Sequence, residues 1–165
     1  MESVPFDPTV PVEGVRMSEH RATVHWNRQD KSFTPKEYSR EHLWTFEGGS
    51  EVRASAAPKY LGDPALVDPE EAFVAAISSC HMLTFLSLAA RDGFVIDDYE
   101  DGAVGFMERN AEKRIAITRV ALSPKITWGG EPPSQEKLDE LHENAHKHCF
   151  IANSVTTKIS VEEPS

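Results

Sequence analysis

At 165 residues and 18.4 kDa, with 39% hydrophobic side chains, the chain has the length of one domain and enough apolar material for a substantial core, which excludes disorder as its main state. Seventeen basic against 27 acidic residues give a formal charge of −10, a field that repels phosphate backbones and anionic lipid and argues against nucleic-acid or membrane partners. Two cysteines are too few for the disulfide framework of a small secreted domain, so their thiol chemistry becomes the question.

Residues 1–18 carry Glu2 and Asp7 where a signal peptide would carry cations, together with Pro5, Pro8 and Pro11. They read as an extended arm ahead of a single domain over 19–165, and the missing targeting signal points to a reducing, cytoplasmic location. From His20 to Asn27, Ala22, Val24 and Trp26 alternate with Arg21, Thr23 and His25, the period of a strand. Tyr38–Phe46, the turn Glu47-Gly48-Gly49-Ser50 and Glu51–Ser55 predict a hairpin. After a loop with Pro58, Gly62 and Pro64, Asp68-Pro69-Glu70-Glu71 has the grammar of a helix start: Asp68 caps, Pro69 suits the first position and Glu71 completes a capping box. The helix should run to Arg91 or Asp92, with Gly93 as its stop, a rod of roughly 35 Å at 1.5 Å per residue.

Ala72 to Ala90 contains no ionised side chain and approaches the length of a membrane span. Ser78, Ser79, His81, Thr84 and Ser87 interrupt it and acids precede it, so a helix buried in protein, covered almost all round, fits better. Such a rod asks for more cover than one chain of this size provides. The acidic run Asp97-Asp98-Tyr99-Glu100-Asp101 reads as a solvated connection. Strands are expected at Gly102–Arg109, Arg114–Leu122 and Lys125–Trp128; in the second, Ile115, Ile117 and Arg119 share one face and Ala116, Thr118 and Val120 the other. Ser134 should cap a second, amphipathic helix with Leu138, Leu141, Ala145 and Cys149 on one side, and Val155–Val161 should form a last strand. The order of elements is that of an α+β protein with sheets wrapped around helices.

Cys80 falls in the middle of the uncharged helix and Cys149 at the end of the second. Each is open to two readings, a small apolar filler or a reactive thiol. Reactivity needs a thiolate. Cys80 lies 11 positions past Pro69, where the field of the helix N-terminus is spent, so a reactive Cys80 requires a cation from elsewhere. Arginine suits that task, since it stays charged when buried and can donate to a thiolate and a carboxylate together.

The pairing of Asp-Pro-Glu-Glu (68–71) with a cysteine ten positions after the first Glu, in PEEAFVAAISSCHMLTFLSLAARDGF (69–94), resembles the central helix of the OsmC/Ohr family. A second cysteine in AHKHCFIANSV (145–155), ahead of a terminal strand, is similar to the same family, over residues 20–161. The resemblance implies an OsmC/Ohr-like α+β fold, antiparallel sheets around long buried central helices in an intertwined homodimer. It implies a thiol-dependent peroxidase that reduces organic hydroperoxides, and hydrogen peroxide as well, with no cofactor and no metal. Cys80 would be the peroxidatic cysteine, Cys149 the resolving one and Glu70 the acidic partner. Arg40, in Tyr38-Ser39-Arg40-Glu41, is the best match to the family's arginine, with Arg28 as runner-up. Two departures are visible: Ser39-Arg40-Glu41-His42 replaces the frequent Gly-Arg-Asp-Gly, and Phe150 replaces a proline after the second cysteine.

On that reading Arg40 holds Cys80 as thiolate and Glu70 fixes the guanidinium. Sulfur attacks the distal peroxide oxygen, an alcohol leaves, and Cys149 condenses with the sulfenic acid to a disulfide that an external dithiol reduces. On a straight helix Glu70 and Cys80 stand roughly 15 Å apart, so two helices packed antiparallel about a two-fold axis would bring Glu70 of one copy towards Cys80 of the other. Two other classes compete. His146, His148, Cys149, Cys80 and His81 contain zinc-ligand types, but His148 leaves the face shared by 146 and 149 and no CxxC is present. The other is a non-catalytic OsmC-like domain holding an apolar small molecule at a dimer interface, lined by Phe73, Met82, Phe85 and Phe150, which also line the substrate site of the peroxidase reading.

Overall fold

The computed structural model describes residues 18–30 and 32–162, so all but the end of the arm expected over 1–18 lies outside the described residues. The described chain divides into two compact units, 18–73 and 74–162.

In the first unit β1 (Ala22–His25), β2 (His42–Phe46) and β3 (Glu51–Ala54) form an antiparallel sheet in that order, with Val24 opposite Trp44 and Trp44 opposite Val52. The hairpin closes through Gly49 N to Phe46 O at 2.9 Å, and Gly49 sits at φ +84, a conformation open to glycine at no steric cost. β2 begins at His42 rather than at Tyr38. The backbone ahead of it is committed to a turn: Glu37 and Tyr38 donate to Thr34 O, and the Ser39 carbonyl accepts the Trp26 indole N–H at 2.7 Å. Gly62 presses on the Ala56 carbonyl so closely that a Cβ there would lie 1.5 Å from its oxygen.

The helix α1 (Pro69–Arg91) starts as its local chemistry dictates: Glu71 N donates to Asp68 Oδ1 at 2.8 Å and Asp68 N to Glu71 Oε2 at 3.1 Å, a complete capping box. It ends on Gly93 at φ +85, with Gly93 N bonded to Ala90 O and Phe94 N to Ala89 O.

In the second unit α1 is buried along one stripe, Ile77, His81, Thr84, Phe85, Leu88 and Ala89, while Leu83 is 59% exposed. The expectation of burial all round therefore fails for one copy of the chain. Among the described residues α1 is the one helix long and apolar enough to cross a membrane, and both its ends are capped within the fold.

The acidic run is not a connection but a strand, β4 (Ile96–Asp101), paired antiparallel with β7 (Pro124–Trp128). Asp97, Asp98 and Glu100 face solvent while Ile96 and Tyr99 pack on the core, and a register shift between Ile96 and Asp98 restores the inward alternation that the sequence pattern hides. β5 (Val104–Arg109) and β6 (Ile115–Leu122) form a second antiparallel pair, in which Val120, Ala121 and Leu122 are buried. The last strand, β8 (Lys158–Val161), is shorter than expected and joins β6 in parallel. Residues 155–157, expected in that strand, lie outside it, and a 3-10 turn over 152–154 precedes them. α2 (Gln135–His148) is capped by Ser134, which accepts from Lys137 N, and it buries Leu141 and Ala145 against Phe85, Leu88 and Ala89. The α+β class holds, with two helices and several sheets, and every strand pair but β6–β8 is antiparallel.

Candidate active site

Both cysteines lie in the second unit and both are free thiols. Cys80 is half-buried on α1; Cys149, 1% exposed, is the residue that ends α2. Cys80 is near enough to bear on the ionisation of Cys149. Burial and the neighbouring Cys80 push the Cys149 thiol up to about 11, against the pull of the Ala152 and Ile151 amides. Ala152 N donates to Cys149 Sγ at 3.3 Å, because the chain turns into its 3-10 segment directly after the cysteine. At neutral pH Cys149 is thus a protonated thiol, with its sulfur accepting from Ala152 N.

Cys80 opens on an apolar cavity of about 700 Å³ lined by Ala76, Ser79, Leu83, Thr84, Ser87, Phe150 and Ile151. Six of its lining positions, 76, 79, 80, 83, 84 and 87, follow helical spacing on one face of α1, a signal available from the sequence. The hydroxyls do little to wet it: Thr84 Oγ1 donates back to Cys80 O at 2.9 Å and Ser79 Oγ to Ala76 O at 3.3 Å. Of the four apolar side chains expected around a ligand, Phe150, 64% exposed, lines this cavity. Phe85 does not. It is fully buried in the core, stacked on His142 with ring centroids 4.4 Å apart, since its position on α1 faces α2. Phe73 and Met82 are half-buried and absent from the lining.

Arg40 and Glu70 lie in the first unit, on one cleft of about 600 Å³ lined also by Trp26, Phe33, Tyr38 and Tyr60. Arg28 is not part of that lining. Arg40 donates to the carbonyls of Tyr38 and, at 2.7 Å, Pro35, and its guanidinium lies 3.9 Å over the Tyr38 ring. Its donors go to its own loop rather than to Glu70. Among the described residues no three His, Cys, Asp or Glu side chains converge to hold a metal ion. His81, one of the zinc-ligand types noted in the sequence, instead bonds His142, a residue that the sequence did not single out.

A family model described as OsmC-like protein matches residues 62–163. An OsmC-like protein of unknown function from Vibrio cholerae has a solved structure 46% identical in sequence, with a TM-score of 0.86, covering 89% of this chain and 99% of that one. An organic hydroperoxide resistance protein from Legionella pneumophila matches at 16% identity and a TM-score of 0.67, covering 91% and 99%. One from Bacillus subtilis matches at 17% and 0.60, covering 89% and 97%. These last two share the fold. No curated protein matches the chain. With its model matched over more than half its length and its fold shared with solved members, the chain belongs to the OsmC-like protein family.

Proposed function

We propose that the protein is a cysteine-based peroxidase that reduces organic hydroperoxides, and hydrogen peroxide more slowly. The observation that carries this reading is the free Cys80 thiol on the wall of an apolar cavity, with a second free thiol, Cys149, near enough to bear on its chemistry. The cavity takes the organic part of the substrate and leaves the peroxide at sulfur. The Cys80 thiolate attacks the distal oxygen, the O–O bond breaks, the alcohol leaves with a proton, and Cys80 becomes sulfenic acid. Cys149 then displaces hydroxide from that sulfur, its own proton leaving as part of water, and an external dithiol reduces the disulfide by exchange. The hydroperoxide resistance proteins that share the fold support this substrate class.

The reading assigns the activating cation to Arg40 and its orienting carboxylate to Glu70, delivered to Cys80 by the second copy of a homodimer. Leu83 and Phe150, exposed and apolar beside Cys80, give that copy a surface to cover. A cytoplasmic location would keep both thiols reduced.

The test is a stoichiometric dose of an organic hydroperoxide to the reduced protein, followed by thiol trapping and mass spectrometry. A fast Cys80–Cys149 disulfide, absent in Cys80→Ser, is expected; Cys149→Ser should stop at a trappable sulfenic acid. If both thiols stay reduced while a generic thiol is oxidised, the peroxidase reading falls and a non-catalytic domain that holds an apolar small molecule replaces it.

A further inference from the structure

A histidine pair, one ring buried and the other half-buried, joins the two helices that carry the cysteines, and the peroxidase chemistry makes no use of it. His81, the residue after Cys80, is 1% exposed, and its Nε2 lies 3.1 Å from Nδ1 of His142, seven positions before Cys149 on α2. Phe85 stacks on the His142 ring, and Nδ1 of His81 is buried without a hydrogen-bond partner. That unpaired atom fixes the proton. Were His142 the donor, His81 would have to carry its own proton on Nδ1, a buried N–H with nothing to receive it. With His81 donating from Nε2, a lone pair alone goes unmet, the cheaper defect.

With both rings charged the pair has no acceptor and the bond is lost. With a single proton, whichever ring takes it, His81 carries an unmet N–H on Nδ1 and a charge enters the core. The charged or titratable groups that act on the pair are His146 and Asp139 from α2 and Asp101 from β4. His146 opposes protonation of His81, whereas the two aspartates favour it at His142. Burial outweighs them and holds both histidines below their ordinary range.

The neighbouring contacts between the helices are apolar, Phe85, Leu88 and Ala89 with Leu141 and Ala145, and apolar contact sets distance without a directional bond to fix register. A disulfide demands register, since its Cα atoms must come within a window of roughly 2 Å. We propose that His81 and His142 are positioning residues that hold α1 against α2 in the register at which Cys80 and Cys149 can bond, and that protonation of the pair slows disulfide closure. This rests on the reading of the two cysteines as a redox couple, and its test does not require hydroperoxide.

The reduced full-length protein is treated with diamide, whose N=N bond takes two electrons and two protons from the two thiols to give a hydrazine and the disulfide. Closure is followed by trapping and mass spectrometry, and Cys80 access separately by iodoacetamide. His142→Phe keeps the stack and loses the acceptor; His142→Gln keeps an acceptor. Expected is closure about tenfold slower in the Phe variant, the scale of one lost hydrogen bond, with alkylation unchanged and the Gln variant close to wild type. Wild-type closure relative to alkylation should fall by about fivefold or more between about pH 7 and about pH 4, the window set by the lowered His81 and His142. Closure at the wild-type rate in a folded Phe variant, or a Gln variant as slow as Phe, overturns the proposal. If the Phe variant does not fold, the wild-type ratio decides, and a constant ratio overturns it. Closure with diamide but inertness to hydroperoxide would instead remove the peroxidase reading and leave the positioning pair standing.

Discussion

Replacing His81 by Gln should flatten part of the acid side of the stability curve, by an amount set by its burial. The ring is 1% exposed, and desolvation, reinforced by His142 and His146, lowers its pKa from 6.5 to about 4. A histidine with a depressed folded pKa contributes fully above 6.5 and loses that contribution as pH falls to about 4, because the unfolded chain takes up the proton that the folded chain refuses. At 1.36 kcal/mol per unit the difference amounts to about 3 kcal/mol. His142, lowered by its own burial, adds to the loss in wild type and variant alike. The assay is urea unfolding followed by circular dichroism at several pH values through this window, at one protein concentration so that any association equilibrium stays fixed. Wild type should lose about 3 kcal/mol more than His81→Gln on the way down. Parallel curves would show that His81 titrates as it does in the unfolded chain and would refute the argument from burial.

Asp68→Ala removes the side chain that receives Glu71 N at 2.8 Å and should cost about 1 kcal/mol, lowering Tm by roughly 2–4 °C in a scanning calorimeter. Glu71→Ala should cost a similar amount, and the double variant less than the sum, since both act in one capping box. Phe150→Ala, which strips an apolar wall from the Cys80 cavity, should raise KM for a bulky organic hydroperoxide by about tenfold while leaving turnover of hydrogen peroxide unchanged in steady-state assays.

What was legible in the sequence is what short-range chemistry decides. Asp68 and Glu71 mark the start of α1, Gly93 marks its end, and Ser134 the start of α2, because each completes bonds within a few residues. β4 escaped because its identity depends on one inward face, Ile96 and Tyr99, and a register shift separates those residues from a simple alternation among acids. The late start of β2 and the parallel pairing of β8 with β6 likewise answer to distant partners, the Trp26 indole on the Ser39 carbonyl and Thr157 Oγ1 on Ile117 O. At the site the same division holds. Helical spacing from Cys80 identifies most of its cavity wall, but the contact of His81 with His142 spans 61 positions and leaves no local trace.

The assignment of Phe85 and Phe150 shows why composition alone misleads about burial. Both are aromatic residues near a cysteine, yet Phe85 fills the core between α1 and α2, and Phe150, beyond the end of α2, opens on the cavity. The helix that carries Cys80 is apolar on all sides, but one copy of the chain buries one stripe of it. Exposing Leu83 and the cavity to water wastes apolar area that could contribute about 25 cal/mol for each Å² covered. The surplus apolar face therefore answers to the proposed second copy, and it lies along the wall that the proposed reaction gives to the organic group of the peroxide. On that proposal, closing the wall would exclude water from the Cys80 sulfur and bring the arginine that a mid-helix thiolate needs, so assembly and activation would become one requirement of one helix.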